Sequence, residues 1–567
     1  MKKLTEEQVF AVEMAKKCSG NMRIEAFAGT GKTTTLAAIA KAMPKKKGQF
    51  LAFNRAIADE SKTKLPDSCK SSSFHQLAYA KVGRSFSSRL NQRVSGWTVA
   101  SGLGISNGSL PSSDMGSLAL GTVAAFCRTL DPEIGPQHVP TYMLGAGKKQ
   151  MGVITDAAKW AKKLWVKMSN PKGDFPSSHD VYLRLYAESA PKISADYILF
   201  DEAQDADSLM LHVLLNQKCP VIFVGDRWQQ IYAWRGAVNA MSKIRTEDVA
   251  QLTTSFRFGQ AIADRASKVL RTMGESVSIR GFAGKDSKIM KISNYPHAVI
   301  ARTNAEAAAV IFEHEKKSVA TTGLNEAVEF FKAYVALRDK KRVPMAYRFF
   351  KSLTELKSYA NESDEGSDLK PYFKLLSKRE PEAILDRLSR VTAYSPEVNV
   401  DLVVSTAHKC KGLEFPRVQL RGDFLPLGRD KESGKTRPPA DEEVRLLYVA
   451  LTRASEVLDD SLVPWDRLRL EFPLLEAEAP LRAEVSSDSK NAPVLEESYF
   501  HLLHDVWRDQ PADTAWRMID LFFLAKSGDA FTSSSLASRW GISETKAEVL
   551  LMDLKGRLAQ RSLLEGS

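Results

Sequence analysis

The chain has little of what marks a secreted, membrane-spanning or metal-clustered protein. It has five cysteines in 567 residues, far apart and without metal-type spacing: Cys18, Cys69, Cys127, Cys219 and Cys410. Such scattered thiols favour a reducing compartment, so we expect no disulfide framework. No run approaches the roughly 20 apolar residues of a membrane-spanning helix. Residues 1–5 lack the apolar core of a signal peptide, and we expect no membrane partner.

Internal repeats and long low-complexity tracts are also absent, so the repeat architectures are excluded. A chain of 567 residues is too long for one core, and several domains are expected. The net charge of +12 leaves two explanations open. The chain is either simply a basic globular protein or a partner of a polyanion, whose condensed counterions cationic side chains release.

Short apolar runs alternate with helical periodicity in two parts of the chain. Residues 22–27 and 49–53 are each followed by a helical pattern, and buried runs return at 197–200 and 220–224. This βαβ alternation predicts a parallel sheet with helices on both faces. Residues 299–301 and 403–405 predict strands of a second sheet, with a mainly helical, charged region between them.

Residues 85–190 interrupt the first set of strands. They are Ser- and Gly-rich at first and then helical and basic, with Trp160 and Trp165 among the lysines. The spacing of these tryptophans favours a partly buried helix face, which makes structural packing the default interpretation. The lysines could still bind nucleic-acid phosphates without sequence preference.

A glycine-rich turn joins the first predicted strand to a helix. Backbone N–H groups of such a turn converge on phosphate oxygens, assisted by the positive end of the helix. Lys32 would reach the β- and γ-phosphates of ATP, and the Thr33 hydroxyl would bind Mg²⁺. The predicted contacts are Ala28, Gly29, Thr30, Gly31, Lys32, Thr33 and Thr34. A strict phosphate loop starts with glycine where this chain has Ala26. The similar run 145–149 has neither a following hydroxyl nor a preceding strand, and we exclude it.

Acidic residues follow the predicted strand 197–200. A carboxylate at the C-terminal end of a parallel strand can hold Mg²⁺ beside the phosphate loop, which assigns the metal to Asp201 together with Thr33. Its neighbour Glu202 can orient and deprotonate the attacking water. Phosphoryl transfer also needs late positive charge, for which Arg257 and Arg453 are candidates. From mechanism alone, a surface salt bridge is the stronger explanation for either arginine.

The ordered motifs across residues 4–460 resemble the UvrD/Rep-like branch of superfamily 1 DNA helicases. Besides the two sites above, they are residues 4–8, 50–54, 73–77, 225–237, 255–257, 406–415 and 443–454. Within that branch, residues 52–55, 178–180 and 226–232 are most similar to the F-box DNA helicase family and its short prokaryotic relatives. Only three residues precede Leu4, so we expect no F-box and carry over no ubiquitin-ligase role.

The resemblance implies an α/β fold with two RecA-like parallel-sheet domains and ATP in the cleft between them. Mainly helical subdomains would be inserted into both, and a small helical domain would follow. The predicted boundaries are 1–84 with 191–250 for the first RecA-like domain, 85–190 for its basic insertion, 251–304 with 396–465 for the second RecA-like domain, 305–395 for the accessory insertion, 466–497 for a linker and 498–567 for the C-terminal domain. Residues 535–545 fit a winged-helix module or a helical packing domain.

Six residues outside the phosphate loop complete the ATP site by this resemblance. They are Gln8 as adenine reader, Gln229 as γ-phosphate sensor, Phe256 as adenine-stacking aromatic, Arg257 and Arg453 as arginine fingers, and Glu414 as ribose contact. Relatives often carry an arginine directly after the GKT sequence, where this chain has Thr34. That departure puts the second adenine-stacking partner in doubt.

The strand path is expected to combine aromatic platforms with polar contacts, because stacking is tolerant of base sequence. The predicted DNA-binding residues are Phe53, Asn54, Phe74, His75, Tyr232, Trp234, Arg235 and His408. By resemblance Trp234 is the main base-stacking residue. For Phe53 and Tyr232, core packing is the stronger alternative.

The sequence therefore predicts a DNA-stimulated ATPase that translocates 3′ to 5′ on single-stranded DNA and at single-strand/duplex junctions. It would unwind duplex in recombination, repair or replication, in the cytoplasm of a prokaryote and at its nucleoid. One alternative is a translocase that strips proteins or serves a defence system without separating strands. Another is a DNA-binding scaffold that uses ATP only as a switch.

Overall fold

The computed structural model describes most of the chain up to Leu468, within one compact unit that spans Met1–Glu476. The described residues are 3–52, 55–90, 92, 94–108, 110–144, 151–231, 240–294, 297–347, 350–362, 366–429 and 436–468. The run 145–149, nearly all of the predicted linker and the predicted C-terminal domain lie outside them.

The first sheet has six parallel strands in the order β3-β2-β4-β5-β1-β6. They are β1 Met22–Ala26, β2 Gly48–Ala52, β3 Cys69–Ser73, β4 Tyr197–Phe200, β5 Val221–Gly225 and β6 Val249–Leu252. Every residue of β2, β4 and β5 is buried, as expected for central strands covered on both faces. The four strands predicted here from apolar runs are confirmed.

The second sheet has seven parallel strands in the order β10-β9-β11-β8-β12-β15-β7. They are β7 Lys288–Ile289, β8 His297–Ala301, β9 Val319–Thr321, β10 Thr392–Ala393, β11 Leu402–Thr406, β12 Phe415–Leu420 and β15 Ala454–Asp459, with a hairpin of β13 Gly428–Arg429 and β14 Thr436–Arg437. The predicted strands at 299–301 and 403–405 are confirmed as β8 and β11. Because β9 and β10 pair into this sheet, it draws strands from inside the range 305–395. The domain boundaries themselves remain predictions.

Helices cover both faces of the first sheet and form its insertion. Those up to residue 243 are α1 Glu6–Lys17, α2 Lys32–Ala42, α3 Arg55–Lys62, α4 Phe74–Lys81, α5 Ser87–Leu90, α6 Gly96–Leu103, α7 Ser112–Phe126, α8 Met151–Ser169, α9 His179–Glu188, α10 Ser208–Leu215 and α11 Ala240–Lys243. Trp160 and Trp165 lie on α8, half-buried against the core of the insertion. The Trp165 ring meets Phe126 edge-on at 5.3 Å. The packing interpretation of both tryptophans is therefore confirmed.

The remaining helices belong to the second half of the chain. They are α12 Gln260–Arg271, α13 Asn304–Glu313, α14 Asn325–Arg338, α15 Leu353–Glu362, α16 Lys370–Leu376, α17 Pro381–Ser389 and α18 Asp441–Leu451. The predicted α/β class with two parallel sheets is confirmed, and this is the architecture of two RecA-like domains. Among the described residues no helix has both the length and the apolar character to cross a bilayer.

One hydrophobic cluster contains residues of both sheet domains. Phe27 and Ala28 of the glycine-rich turn, with Ile231, are buried in the same cluster as the apolar residues of α12 and α18. The end of β1 therefore faces the second domain directly, and this contact defines the cleft in which the candidate site lies.

Candidate nucleotide and DNA site

The glycine-rich turn has the backbone shape of a phosphate loop. Gly29 and Gly31 have φ of 74° and 79°, values that only glycine adopts without strain. A Cβ on Gly29 would lie 2.6 Å from the Cβ of Arg257, so the second domain approaches too closely for a larger residue. The backbone N–H of Phe256 donates to the Gly29 carbonyl at 2.8 Å. The turn thus lies between β1 and α2, and residues of the second domain pack against it.

Lys32 is surrounded by carboxylates. Its Nζ lies 3.5 Å from the Glu202 carboxylate. Burial lowers the pKa of Lys32, but the charges of Glu202, Asp226 and Asp201 outweigh it and leave that pKa raised. Lys32 is therefore held as a cation at the start of α2, where it can meet a phosphate.

Glu202 has an unusual backbone conformation. Its φ of 54° and ψ of 43° are left-handed, which costs a non-glycine residue about 1–2 kcal/mol. Its carboxylate accepts from the Gln204 amide at 2.5 Å. Burial raises the pKa of Glu202, but attraction to Lys32 and Lys411 lowers it overall. The residue is thus an ionised carboxylate at neutral pH, the form that a general base requires.

Asp201 and Thr33 lie together at the ends of β4 and the phosphate loop. The Thr33 hydroxyl donates to the Asp201 carboxylate at 3.1 Å. Asp201 is only 2% exposed, and burial together with the Glu202 charge raises its pKa. A hydroxyl beside a buried carboxylate is an oxygen-only donor set, which suits a hard divalent cation such as Mg²⁺. These two residues therefore fit the predicted metal.

Lys411 of the second domain reaches into the acidic loop of the first. Its Nζ lies 2.6 Å from the Asp205 carboxylate and donates to the Gln229 carbonyl oxygen at 2.7 Å. The Gln229 side chain in turn donates to Asp226 at 2.7 Å. The predicted γ-phosphate sensor is thus held from both sides, by its own domain and by the opposite one.

Tyr448 of α18 is a second bridge across the cleft. Its fully buried hydroxyl donates to the Asp226 carboxylate at 2.9 Å and accepts from the Ala28 N–H at 3.1 Å. A backbone N–H has one hydrogen, so this bond corrects the expectation that Ala28 donates to a phosphate. The Tyr448 hydroxyl therefore connects the phosphate loop and Asp226 of the first domain to α18 of the second.

The two candidate arginine fingers lie where the second domain meets Lys32. Arg453 is 1% exposed and donates to the carbonyls of Val449 and Leu413 and to the Thr452 hydroxyl. Burial and the neighbouring Arg257 lower the pKa of Arg453 to about 10, so it remains a cation at neutral pH. Its hydrogen bonds go to neutral acceptors, which leaves a buried cation suited to a phosphate.

Arg257 is anchored differently, to a carboxylate and a carbonyl. It donates to Glu414 at 3.0 Å and to the Thr452 carbonyl at 3.0 Å. Glu414, the predicted ribose contact, is exposed at the edge of this arrangement. The structure brings both arginines to one side of the phosphate loop, an arrangement that mechanism alone did not require.

The predicted adenine contacts Gln8 and Phe256 lie beside Gly31 of the loop. Gln8 is buried. Its Oε1 accepts from the Thr5 N–H and its Nε2 donates to the Thr35 hydroxyl. One Nε2 hydrogen and one Oε1 lone pair are left to bind adenine. The Phe256 ring would lie 3.5 Å from a Cβ on Gly31. Thr30 is buried and donates its hydroxyl to the Phe27 carbonyl at 2.9 Å, and Thr34 is exposed.

Two family models match this chain. One, described as an AAA domain, matches residues 8–235, and one described as a UvrD-like helicase C-terminal domain matches residues 347–459. The chain belongs to the UvrD-like helicases of superfamily 1. The resemblance drawn from the motifs is thereby confirmed.

Two curated helicases align with most of the chain. F-box DNA helicase protein 1 of Schizosaccharomyces pombe is 30% identical over 521 residues, which cover 81% of this chain and 58% of that protein. F-box DNA helicase 1 of Gallus gallus is 28% identical over 496 residues, which cover 80% of this chain and 49% of that protein. The chain thus spans about half the length of the curated relatives it matches.

The expected DNA path falls only partly within the described residues. Phe53, Asn54, Tyr232, Trp234 and Arg235 lie outside the described residues. His75 and His408 are half-buried, on α4 and just after β11. Burial lowers the pKa of His75, against a smaller opposite effect of Asp180, so it is neutral at pH 7.

Phe74 requires a correction. It is 1% exposed and packs edge-on against Tyr186 of α9, with 6.0 Å between ring centroids. A side chain enclosed in the core offers no face to a base, so Phe74 stabilises the domain instead of forming the channel. Its place at the first turn of α4 directs it into the core, whereas the next residue, His75, is half-buried.

Sequence reasoning missed the residues that connect the two domains. Tyr448 and Lys411 both lie inside motifs that the sequence identified, but no role was assigned to either. Their motif positions were the available signal. Their partners, Asp226 and Asp205, are distant in sequence, and only docking of the domains reveals the pairs.

Proposed function

We propose that this chain is an ATP-driven motor that moves 3′ to 5′ along single-stranded DNA and separates duplex ahead of it. ATP and Mg²⁺ would be its cofactors, and single strands and strand–duplex junctions its substrates. Its role would be in recombination, repair or replication, on chromosomal DNA in a prokaryotic cytoplasm.

The composite nucleotide site is the observation that carries this proposal. Lys32, Asp201 and Glu202 come from the first domain, and Arg257 and Arg453 come from the second. A site divided in this way can be completed only when the domains approach each other. Binding and hydrolysis of ATP would therefore change the cleft, which is the movement that a translocase requires.

Metal binding is assigned to Thr33 and Asp201, whose oxygens are already adjacent. When bound, Mg²⁺ would neutralise charge on the transferring phosphoryl group. Lys32 would bind phosphate oxygens, and Glu202 would accept the proton of the attacking water. Arg453 would stabilise charge that develops on the phosphoryl oxygens in a site that excludes water.

Two destabilising features of the site argue against a scaffold that uses ATP only as a switch. Glu202 is held in a left-handed conformation, and Arg453 is buried with no carboxylate ion pair among the described residues. Both features are destabilising, and backbone strain of this kind is typical of active sites. A protein that only bound ATP could use Arg453 to bind phosphate, but it would gain nothing from a strained general base at Glu202.

ATP hydrolysis with and without single-stranded DNA tests the motor. We expect DNA to stimulate hydrolysis by the wild type. Lys32→Ala should abolish both the basal and the DNA-stimulated hydrolysis. Lys41→Ala is the matched control, since Lys41 lies exposed on the same helix. The proposal would be refuted if DNA did not stimulate hydrolysis or if the Lys32→Ala variant were active.

Strand separation and polarity need a second assay. Duplexes with a 3′ or a 5′ single-stranded tail are incubated with ATP, and release of the labelled strand is measured. We expect release only from the 3′-tailed duplex. Displacement of a bound protein from single-stranded DNA, without strand release, would identify the chain as a translocase that does not unwind.

A further inference from the structure

A buried carboxylate of the second domain binds two consecutive residues of the first. Glu275 follows α12 and is 6% exposed. It accepts hydrogen bonds from the Arg227 guanidinium and from the Trp228 indole N–H, both at 2.7 Å. The Arg227 guanidinium also lies over the Trp228 ring, 4.8 Å from its centroid. These three side chains form a closed set, which we call the 275 clamp.

The clamp is fixed firmly on the side of the second domain. The other Glu275 oxygen accepts from the Val277 backbone N–H at 2.9 Å, and the Glu275 N–H donates to the Leu270 carbonyl at the end of α12. If Arg227 and Trp228 move, the Glu275 carboxylate can therefore stay bonded to them only if the segment after α12 moves as well. On the first domain, Trp228 is held by its backbone N–H on Asp226.

The contact lies directly before the predicted γ-phosphate sensor. Trp228 is followed by Gln229, whose backbone and side chain both bond to Asp226. A shift of the second domain would therefore act on the short turn Arg227–Gln229 through Glu275. Hydrogen bonds to a charged group are shorter and stronger than neutral ones, as a mechanical connection requires.

Much of the surface around the clamp is polar. A small open pocket lies beside it, lined by Glu25, Phe27 and Gln251 of the first domain and by Glu275 and Val277 of the second. Hydrogen bonds to charged groups therefore contribute to the contact between the domains at this point.

We propose that Glu275 is a positioning residue that transmits movement of the second domain to Gln229, and so couples ATP hydrolysis to DNA. This inference rests on the proposed function, since it presumes a DNA-stimulated ATPase. Glu275 would touch neither nucleotide nor DNA. Its loss would leave the chemistry intact and weaken the connection between DNA binding and hydrolysis.

Glu275→Gln tests this assignment in the full chain. The amide keeps the shape but loses the charge that holds Arg227 and Trp228 together. We expect hydrolysis without DNA to stay within about twofold of wild type. Stimulation by saturating single-stranded DNA should fall about tenfold or more, the effect of losing one hydrogen bond to a charged group. DNA affinity without nucleotide should be unchanged.

Two further variants separate coupling from simple stability. Asp460→Asn is the matched control, because Asp460 is similarly buried in the second domain and pairs with Arg265 at 3.0 Å within that domain. It should keep its DNA stimulation. Trp228→Phe retains the aromatic ring and loses the indole donor. Its effect should add less than fully to that of Glu275→Gln, because both variants weaken the same contact.

Each outcome distinguishes this inference from the proposed function. A wild type that DNA does not stimulate would refute both. A stimulated wild type with normal stimulation in Glu275→Gln would refute the coupling role alone. Equal loss of basal and stimulated activity, shared by Asp460→Asn, would mean that Glu275 only stabilises the fold and would also overturn the coupling role.

Discussion

Tyr448→Phe removes one hydroxyl from the interface between the sheet domains and leaves the ring in place. The wild-type hydroxyl bonds to Ala28 N–H and to Asp226, in a fully buried position. Without it the Ala28 donor is orphaned, which costs about 1–3 kcal/mol. Asp226 retains Gln229 and Trp228 as donors, so it adds little to this cost. We take about 2 kcal/mol as the penalty, and it falls on the docked arrangement of the two domains.

If docking of the domains is required for hydrolysis, about 2 kcal/mol corresponds to a loss of about 30-fold in kcat/KM for ATP. Steady-state hydrolysis with saturating single-stranded DNA measures this loss. Tyr372→Phe is the control, since Tyr372 is a buried tyrosine of a different core, stacked on Phe330 at 4.4 Å. A Tyr448→Phe variant within about threefold of wild type would show that the bridge has no part in assembling the site.

Three other predictions test single residues. Arg453→Gln should lower kcat by about 10³-fold or more with a much smaller change in ATP affinity, measured by DNA-stimulated hydrolysis and nucleotide binding. Phe74→Ala should destabilise the fold by about 3–5 kcal/mol in denaturant titrations, whereas the folded fraction should bind single-stranded DNA normally; a selective loss of DNA affinity would restore Phe74 to the strand path. Burial raises the pKa of Glu275, but the donors Val277, Arg227 and Trp228 outweigh it and lower that pKa. The stability advantage of wild type over Glu275→Gln should therefore be full above about pH 4.3 and disappear as pH falls through the lower folded-state pKa, as thermal unfolding across pH would show.

The phosphate loop and six of the strands were predictable because their signals are local; these strands are β1, β2, β4, β5, β8 and β11. Burial on both faces makes a parallel strand a continuous apolar run, as at β4 and β5. A turn between β1 and α2 that needs positive φ selects glycine at positions 29 and 31. The short strands β9 and β10 were not predicted, because two or three residues carry too little periodicity to separate a strand from the helical region around it.

Side-chain environment was the part that motifs predicted poorly. Phe74 and His75 are neighbours in one motif, yet Phe74 is enclosed against α9 and His75 is half-buried. A motif records which residues occur together, whereas burial depends on the helix that packs over them. The same limit applies to Ala28, whose donor is used by a tyrosine from the far end of the chain.

By itself the sequence determined the family, the order of the motifs and the residue types of the nucleotide site. It also determined six of the strands, since each of these signals lies within a few neighbouring residues. Only the tertiary structure decided which residues connect the two domains. Ala28 and Tyr448 are 420 positions apart, and Asp226 and Tyr448 are 222 apart. Glu275 lies in a segment with no motif at all, and its carboxylate acquires partners only because docking of the second domain places it against Arg227 and Trp228.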